Sequence, residues 1–284
     1  MKKLLFSFAA ASMMLACSSS QSSLSNAQSG PSEDSKLSAV LWQQTSAEYE
    51  ALCHQAFNAA AYRLAIISNS GLDVIDQETG AAIVDQSSPN KKMAIVMDLD
   101  ETVLDNSPYN GWLIENNKTY NAESWTEWCN LAKAELVPGA LEFIEKSKNQ
   151  GIKIMYISNR SVDDLEATIS NLQNSGITVD RSDVLLKTEN SEKIKRREQV
   201  MGSYNIVMLI GDNLADFTDA FDQKLSINER KVLIEKYRND FGKKFIVLPN
   251  VMYGDWENTL KSNNNSDYIQ NYNAYGLKKY IKTF

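Results

Sequence analysis

Hydrophobic and polar positions follow two different patterns along this chain, and the change comes near residue 93. Over residues 39–68, apolar side chains recur every three or four positions, which predicts one long amphipathic helix. Beyond it, five short apolar runs show no alternation, at residues 93–97, 152–157, 184–186, 206–210 and 245–248. Such runs are typical of parallel strands buried on both faces, and most of them are separated by helical segments. The pattern therefore predicts an α/β fold with a parallel sheet and crossover helices.

Polar side chains follow three of these predicted strands directly. Asp98 and Asp100 come after the first run. Ser158 and Asn159 follow the second, and Asp212 follows the fourth. Because function in open parallel sheets gathers beyond the carboxyl ends of the strands, we expect these side chains to form one site.

The acidic residues of this site predict a metal ion. Asp98 and Asp100 are two positions apart at a strand end, and like charges at that separation require a cation or a shared proton. Asp212 would bring a third carboxylate from another strand. Oxygen ligands without an available imidazole favour Mg²⁺.

The segment between the first two predicted strands is longer than an ordinary strand-to-helix connection and is rich in Trp and Tyr. We interpret residues 105–137 as an inserted cap. The remaining expected divisions are a helical segment at 39–92, an α/β catalytic core at 93–104 and 138–257, and a C-terminal arm at 258–284.

The first residues have the features of an export signal. Residues 1–16 combine a short basic start with an apolar stretch too short to span a bilayer, which takes about 20 residues. Ala16-Cys17 resembles the bacterial lipobox, in which Cys17 becomes lipidated; a plain signal peptide is the alternative. The serine-rich stretch at 17–38 is expected to be a flexible tether. We expect a lipid-anchored protein of the outer membrane, on the cell surface or the periplasmic face.

Composition excludes several other classes of protein. The 284 residues carry a net charge of −7, the wrong sign for a protein that coats nucleic acid. The single histidine, His54, excludes sites that need two histidines, such as those of histidine phosphatases. The sequence has no dinucleotide-binding fingerprint, P-loop or nucleophile elbow. Cys53 and Cys129 are expected to be buried free thiols, with a disulfide as the alternative.

Several strings at the predicted strand ends resemble a known family. D-x-D-x-T at 98–102, Ser158-Asn159 and the GDNLAD string resemble the haloacid dehalogenase superfamily of phosphotransferases. The longer strings are similar to class C bacterial acid phosphatases of the outer-membrane lipoprotein e type. They are MDLDETVLDNSPY at 97–109, ISNR at 157–160, GDNLADF at 211–217 and LPNVMYGDWE at 248–257, with WQQTSAEY at 42–49. The resemblance covers about residues 39–257 and implies a Rossmann-like sheet with a smaller helical cap.

The resemblance implies a role for each acidic residue of the site. Asp98 would be the nucleophile that forms an aspartyl-phosphate, and Asp100 would be the general acid and then the general base. Asp98, the backbone carbonyl of Asp100, and Asp212 would hold Mg²⁺. Thr102 and Asp216 would support the site.

The resemblance also implies which residues bind the substrate. Ser158, Asn159 and a lysine would bind the phosphate, and the spacing to the GDNLAD string favours Lys193 over Lys187. Trp125 and Tyr253 occupy the positions where class C relatives sandwich a base or nicotinamide ring; a purely structural role in the core is the alternative.

These observations predict a Mg²⁺-dependent phosphomonoesterase, an acid phosphatase or 5′-nucleotidase acting on nucleoside monophosphates. One alternative is a phosphotransferase that uses the same residues. Another is a non-catalytic surface lipoprotein that binds a ligand or haem, which would not need both Asp98 and Asp100 beside a metal. The expected partners are small phosphomonoesters and a membrane reached through the lipid anchor, with no nucleic acid; a homodimer is left open.

Overall fold

A computed structural model describes residues 32–70, 74–75, 82–83, 90–189, 192–222 and 224–262. The expected signal peptide, Cys17, most of the expected tether and the C-terminal arm beyond residue 262 lie outside these ranges. The described helices are α1 (Ser32–Thr45), α2 (Ala47–Ser70), α3 (Ser107–Glu115), α4 (Ala122–Leu131), α5 (Ala140–Asn149), α6 (Leu165–Asn174), α7 (Ile194–Ser203), α8 (Ile227–Tyr237) and α9 (Asp255–Ser262). Among them, none is long and apolar enough to cross a membrane.

A five-stranded parallel sheet forms the centre of the molecule, and each of its strands coincides with one of the predicted runs. The described strands are β1 (Val74–Ile75), β2 (Ala82–Ile83), β3 (Lys92–Met97), β4 (Leu104–Asp105), β5 (Glu135–Leu136), β6 (Lys153–Ser161), β7 (Val184–Lys187), β8 (Tyr204–Gly211) and β9 (Phe245–Val247). The central sheet has the order β7-β6-β3-β8-β9, and all its pairings are parallel. The predicted α/β fold is confirmed.

The central strand β3 shows why its sequence has no alternation. Ile95 and Met97 belong to the hydrophobic cluster on one face of the sheet, whereas Ala94 and Val96 belong to the cluster on the other face. Because side chains alternate between the faces of a strand and both faces are covered, every position must be apolar.

The N-terminal helical region differs from the expected single helix over 39–68 in two respects. It begins at Ser32, so residues 32–38 of the expected tether are helical. It is also interrupted at Ser46, whose hydroxyl accepts a hydrogen bond from the backbone N–H of Tyr49 at 3.1 Å. A serine that caps a helix in this way starts a new helix, so α2 begins at the next residue.

Two short antiparallel pairs lie outside the central sheet. β1 pairs with β2 inside the segment that was expected to be helical. β4 pairs with β5, and the backbone N–H of Val137 donates to the carbonyl of Val103 at 3.0 Å. The segment that carries α3 and α4 therefore leaves and rejoins the sheet layer at one place, next to the end of β3.

Candidate active site

A cavity of about 590 Å³ opens at the carboxyl edge of the central sheet. Its lining brings together residues from the ends of β3, β6 and β8, from α4, and from the loop before α9. Eight of the predicted site residues line it: Asp98, Asp100, Trp125, Asn159, Lys193, Asp212, Asp216 and Tyr253. Ser158 and Thr102 are fully buried directly beneath the site and bond to Asp100 and Asp212 respectively.

Asp98 and Lys193 form a buried ion pair at the floor of the cavity. The Nζ of Lys193 contacts Asp98 Oδ1 and lies 2.6 Å from Asp216 Oδ1. Burial raises the pKa of Asp98 to about 7; Lys193 offsets part of this rise, and the neighbouring Asp216 contributes to it. Burial acts to lower the pKa of Lys193, but the two carboxylates outweigh it and raise that pKa. Lys187 instead lies in β7, paired with Ser161.

Asp98, Asp212 and Asp216 form an acidic cluster in which each offers an oxygen within 4.8 Å of the others. Asn250 Nδ2 donates to Asp212 Oδ2 at 2.8 Å and fixes that carboxylate. Burial, together with the charges of Asp216 and Asp98, raises the pKa of Asp212 well above its usual range. Several carboxylates held this close, with one lysine among them, are a suitable donor set for a hard divalent cation.

Asp100 is held separately from this cluster, by two nitrogen donors and a hydroxyl. Its Oδ1 accepts from Arg160 Nε at 2.9 Å and from Asn106 Nδ2 at 2.9 Å. Its Oδ2 accepts from the Ser158 hydroxyl at 3.2 Å. The Asp100 side chain therefore contributes no oxygen to the cluster formed by Asp98 and the two other aspartates.

Two predicted phosphate-binding residues have unequal exposure. Ser158 is buried and contacts Asp100, whereas Asn159 is exposed on the cavity wall. Arg196, from α7, donates to Asn159 Oδ1 at 2.7 Å, so the Asn159 amide has a fixed orientation. Among the described residues, its –NH₂ group has no hydrogen-bond acceptor.

The two predicted ring-binding residues line the same cavity from different elements. Trp125 lies on α4, with its ring centroid 5.0 Å from that of Tyr109 in an edge-to-face contact. The Arg160 guanidinium lies 5.7 Å from the Trp125 ring. Tyr253 comes from the loop between β9 and α9 and is half-buried. The structure thus places an aromatic side chain on each of two elements that border the opening.

Several residues that organise the site received no role from the sequence. Arg160 and Asn106 hold Asp100, Asn250 holds Asp212, and Arg196 holds Asn159. A fifth is Gly211, where an added Cβ would lie 2.2 Å from Asp216 Oδ2. Four of these lie inside or beside the strings that carried the family resemblance, but only the contacts show what they do.

The fold and the site together define a class of protein. A parallel sheet that presents paired aspartates after its central strand, a buried lysine and a further acidic loop after β8 is the arrangement of the haloacid dehalogenase superfamily. The model of the family described as HAD superfamily, subfamily IIIB (Acid phosphatase), matches residues 1–256, and the chain belongs to this family.

Solved structures agree with this assignment. The class C acid phosphatase from Bacillus anthracis is 36% identical, with a TM-score of 0.77, and the match covers 89% of this chain and 98% of that chain. A second structure of that phosphatase, with tungstate bound, is also 36% identical over the same shares, with a TM-score of 0.75. The resemblance to class C acid phosphatases is confirmed.

Curated relatives match over a shorter region. The stem 28 kDa glycoprotein of Glycine max is 32% identical over 136 residues, which are 44% of this chain and 52% of that protein. A stem 31 kDa glycoprotein of the same plant is 32% identical over 136 residues, or 46% of its length. This chain thus spans about half the length of the curated relatives it matches.

Proposed function

We propose that this protein is a Mg²⁺-dependent phosphomonoesterase that hydrolyses nucleoside monophosphates. The observation that carries the proposal is the placement of Asp98. Its buried carboxylate contacts Lys193 and belongs to the acidic cluster, while Asp100 lines the same cavity and is bonded to a separate set of donors. Two carboxylates in different environments can divide nucleophilic and acid–base work between them.

In the first step, a carboxylate oxygen of Asp98 attacks phosphorus and the bond from phosphorus to the ester oxygen breaks. Asp100, in its protonated form, delivers its proton to the departing ester oxygen, which leaves as an alcohol. In the second step, the Asp100 carboxylate takes a proton from a water molecule that attacks the aspartyl-phosphate. Inorganic phosphate leaves, Asp98 is restored as a carboxylate and Asp100 as the acid.

Asp98, Asp212 and the backbone carbonyl of Asp100 would hold the Mg²⁺, with Asp216 close enough to contribute. The cation would neutralise part of the negative charge that the acids and the phosphate bring together. Asp216 also anchors Lys193. Thr102, at 3.4 Å from Asp212 Oδ1, supports the orientation of that ligand.

Lys193 and Asn159 are the donors proposed for the phosphate oxygens, with Ser158 completing the polar floor. Preorganised donors of this kind stabilise the charge that spreads over the phosphoryl oxygens in the transition state. The tungstate-bound structure of the Bacillus anthracis phosphatase supports an oxyanion site in this fold, because tungstate is a tetrahedral oxyanion like phosphate.

Trp125 and Tyr253 support nucleotides as substrates. Stacking a ring against an aromatic side chain stabilises binding by about 1–3 kcal/mol per base. We further propose that Cys17 is lipidated and anchors the enzyme to the bacterial outer membrane, facing the cell surface or the periplasm. A nucleotidase at that location would release nucleosides for import.

The test is phosphate release from a panel of nucleoside 5′-monophosphates and glycerol phosphate, in Mg²⁺ and in EDTA. We expect release that EDTA abolishes and added Mg²⁺ restores, with the nucleotides preferred. Release that persists in EDTA would contradict the metal site. Equal rates on all esters would contradict the nucleotide preference, and no release from any ester would contradict the enzyme assignment.

A further inference from the structure

Asn106 is a fully buried amide that joins Asp100 to helix α4. Its Nδ2 donates to Asp100 Oδ1 at 2.9 Å, and its Oδ1 accepts from the indole N–H of Trp128, on α4, at 2.8 Å. Its backbone N–H is fixed as well, by Glu101 Oε1 at 2.7 Å. Both ends of the side-chain amide and the backbone N–H are therefore occupied.

Two donors fix which end of the Asn106 amide faces Asp100: the indole N–H of Trp128, at 2.8 Å from Oδ1, is the shorter bond, and Arg160 Nη2 lies 3.4 Å from the same oxygen. With its oxygen held by the indole N–H, the amide presents its –NH₂ group to the carboxylate. Turned by 180°, it would place an oxygen against a carboxylate oxygen, which repels, and would remove the acceptor of the indole N–H.

Asp100 Oδ1 is saturated in this arrangement. Besides Asn106 Nδ2, it accepts from Arg160 Nε at 2.9 Å, and Arg160 Nη2 lies 2.8 Å away. Within the described part of the chain, the bond given to Oδ2 is the one from the Ser158 hydroxyl, at 3.2 Å. A proton that Asp100 delivers must therefore be carried on Oδ2, and the contacts to Oδ1 determine where Oδ2 lies.

We infer that Trp128 and Asn106 are positioning residues that orient the general acid Asp100 through this chain of two hydrogen bonds. The inference rests on the proposed function. Trp125, three residues before Trp128 on the same helix, lines the cavity. Helix α4 therefore carries both a wall of the substrate cavity and the donor that fixes the acid, so the position of α4 sets the direction of proton delivery.

The test compares two esters that differ in their need for a proton. The leaving group of benzyl phosphate departs as an unstable alkoxide unless its oxygen is protonated. The leaving group of p-nitrophenyl phosphate departs as a stable phenolate without a proton. Both esters carry an aromatic ring. The variant is Trp128→Phe, which keeps an aromatic ring and removes the N–H donor. Trp112→Phe, in α3 of the same inserted segment, is the matched control. The quantity is kcat/KM, because it includes only the steps up to departure of the leaving group.

We expect Trp128→Phe to lower kcat/KM for benzyl phosphate by roughly 10- to 100-fold, since a displaced acid loses part of its 10²–10⁴-fold contribution. The p-nitrophenyl ester should change little, and Trp112→Phe should change neither ester. Asn106→Ser removes the amide that lies between the Trp128 indole and the Asp100 carboxylate, and it should give the same selective loss. It replaces Trp128→Phe as the test variant if that protein does not fold.

Equal losses on both esters in a folded variant would overturn the inference, because they indicate a structural role only. No loss on either ester would overturn it as well. Failure of the parent protein to release phosphate from either ester would instead contradict the proposed function on which the inference rests.

Discussion

The ammonium group of Lys193 lies 2.6 Å from a carboxylate oxygen of Asp216, and both side chains are buried. The same ammonium contacts Asp98, which is 95 positions away in the sequence. One cation therefore compensates two carboxylates at the floor of the site. Removing it would leave the acidic cluster with more uncompensated negative charge and the incoming phosphate with one donor fewer.

We predict that Lys193→Met lowers kcat for a nucleoside monophosphate by roughly 10²–10³-fold, the usual loss for one preorganised donor to a charged transition state. The matched control is Lys187→Met. Lys187 was the alternative candidate for the phosphate-binding lysine, and this variant should retain near-parental activity. Steady-state kinetics of both variants decide between the two lysines, and a large loss in Lys187→Met with none in Lys193→Met would reverse the assignment.

Gly211 is predicted to tolerate no side chain. The Cβ of Gly211→Ala would lie 2.2 Å from Asp216 Oδ2, which also accepts the backbone N–H of Asn213 at 3.0 Å. We expect a loss of about 1–3 kcal/mol in the free energy of unfolding and loss of activity, because Asp216 must move away from Lys193.

The control for this change is Gly202→Ala on α7, where an added Cβ meets nothing within 4 Å. Alanine in a helix is favoured over glycine by up to about 1 kcal/mol, so this variant should be as stable as the parent or more so. Denaturant unfolding and phosphate release measure both effects. Parental activity in Gly211→Ala would contradict the role given to the Asp216 contact.

Asp98→Asn should abolish turnover and leave the fold intact. The amide removes the proposed nucleophile, and it also removes one negative charge from a crowded, buried site, so the unfolding free energy should not fall. The measurements are phosphate release, trapping of a phosphorylated enzyme and thermal unfolding. Phosphate release at the parental rate from Asp98→Asn would contradict the covalent mechanism.

Trp125→Ala and Tyr253→Ala should change substrate preference. Loss of one stacking face weakens binding of the base by about 1–3 kcal/mol, which lowers kcat/KM for a mononucleotide by roughly 5- to 150-fold. Glycerol phosphate has no ring that could stack, so its kcat/KM should change little. The ratio of the two kcat/KM values is the decisive quantity. Tyr62→Ala, an exposed tyrosine on α2, is the control and should leave this ratio unchanged.

Equal decreases on both substrates would mean that the two aromatic residues hold the cavity wall in place and do not stack on the substrate. Unchanged kinetics on both would reduce the proposal to a phosphatase without nucleotide preference.

Cys17→Ser should move the protein from the membrane fraction to the soluble fraction, because the proposed lipid anchor would be lost. Fractionation and labelling with a radioactive fatty acid measure this, with Cys53→Ser as the control for removal of a cysteine elsewhere. Lipid labelling of Cys17→Ser equal to that of the parent would contradict the lipidation proposal.

The sheet and the floor of the site could be predicted from the sequence because both depend on local pattern. A strand buried on both faces must be apolar at successive positions, as Ala94 and Ile95 are, so each strand is visible as a short run. Asp98 and Asp212 follow such runs directly, and parallel strands end at one edge of a sheet. Their convergence therefore follows from the strand assignment alone.

The orientation of each side chain was decided only by the tertiary structure. Periodicity does not encode that Arg160 holds Asp100, that Ser158 faces Asp100, or that Asp216 joins the acidic cluster. These contacts join residues tens of positions apart, such as Arg160 and Asp100 with a separation of 60, and they depend on how the loops pack. Hydrophobic pattern specifies which face of an element is buried, whereas the direction of a hydrogen bond between two elements is set only when both are in place.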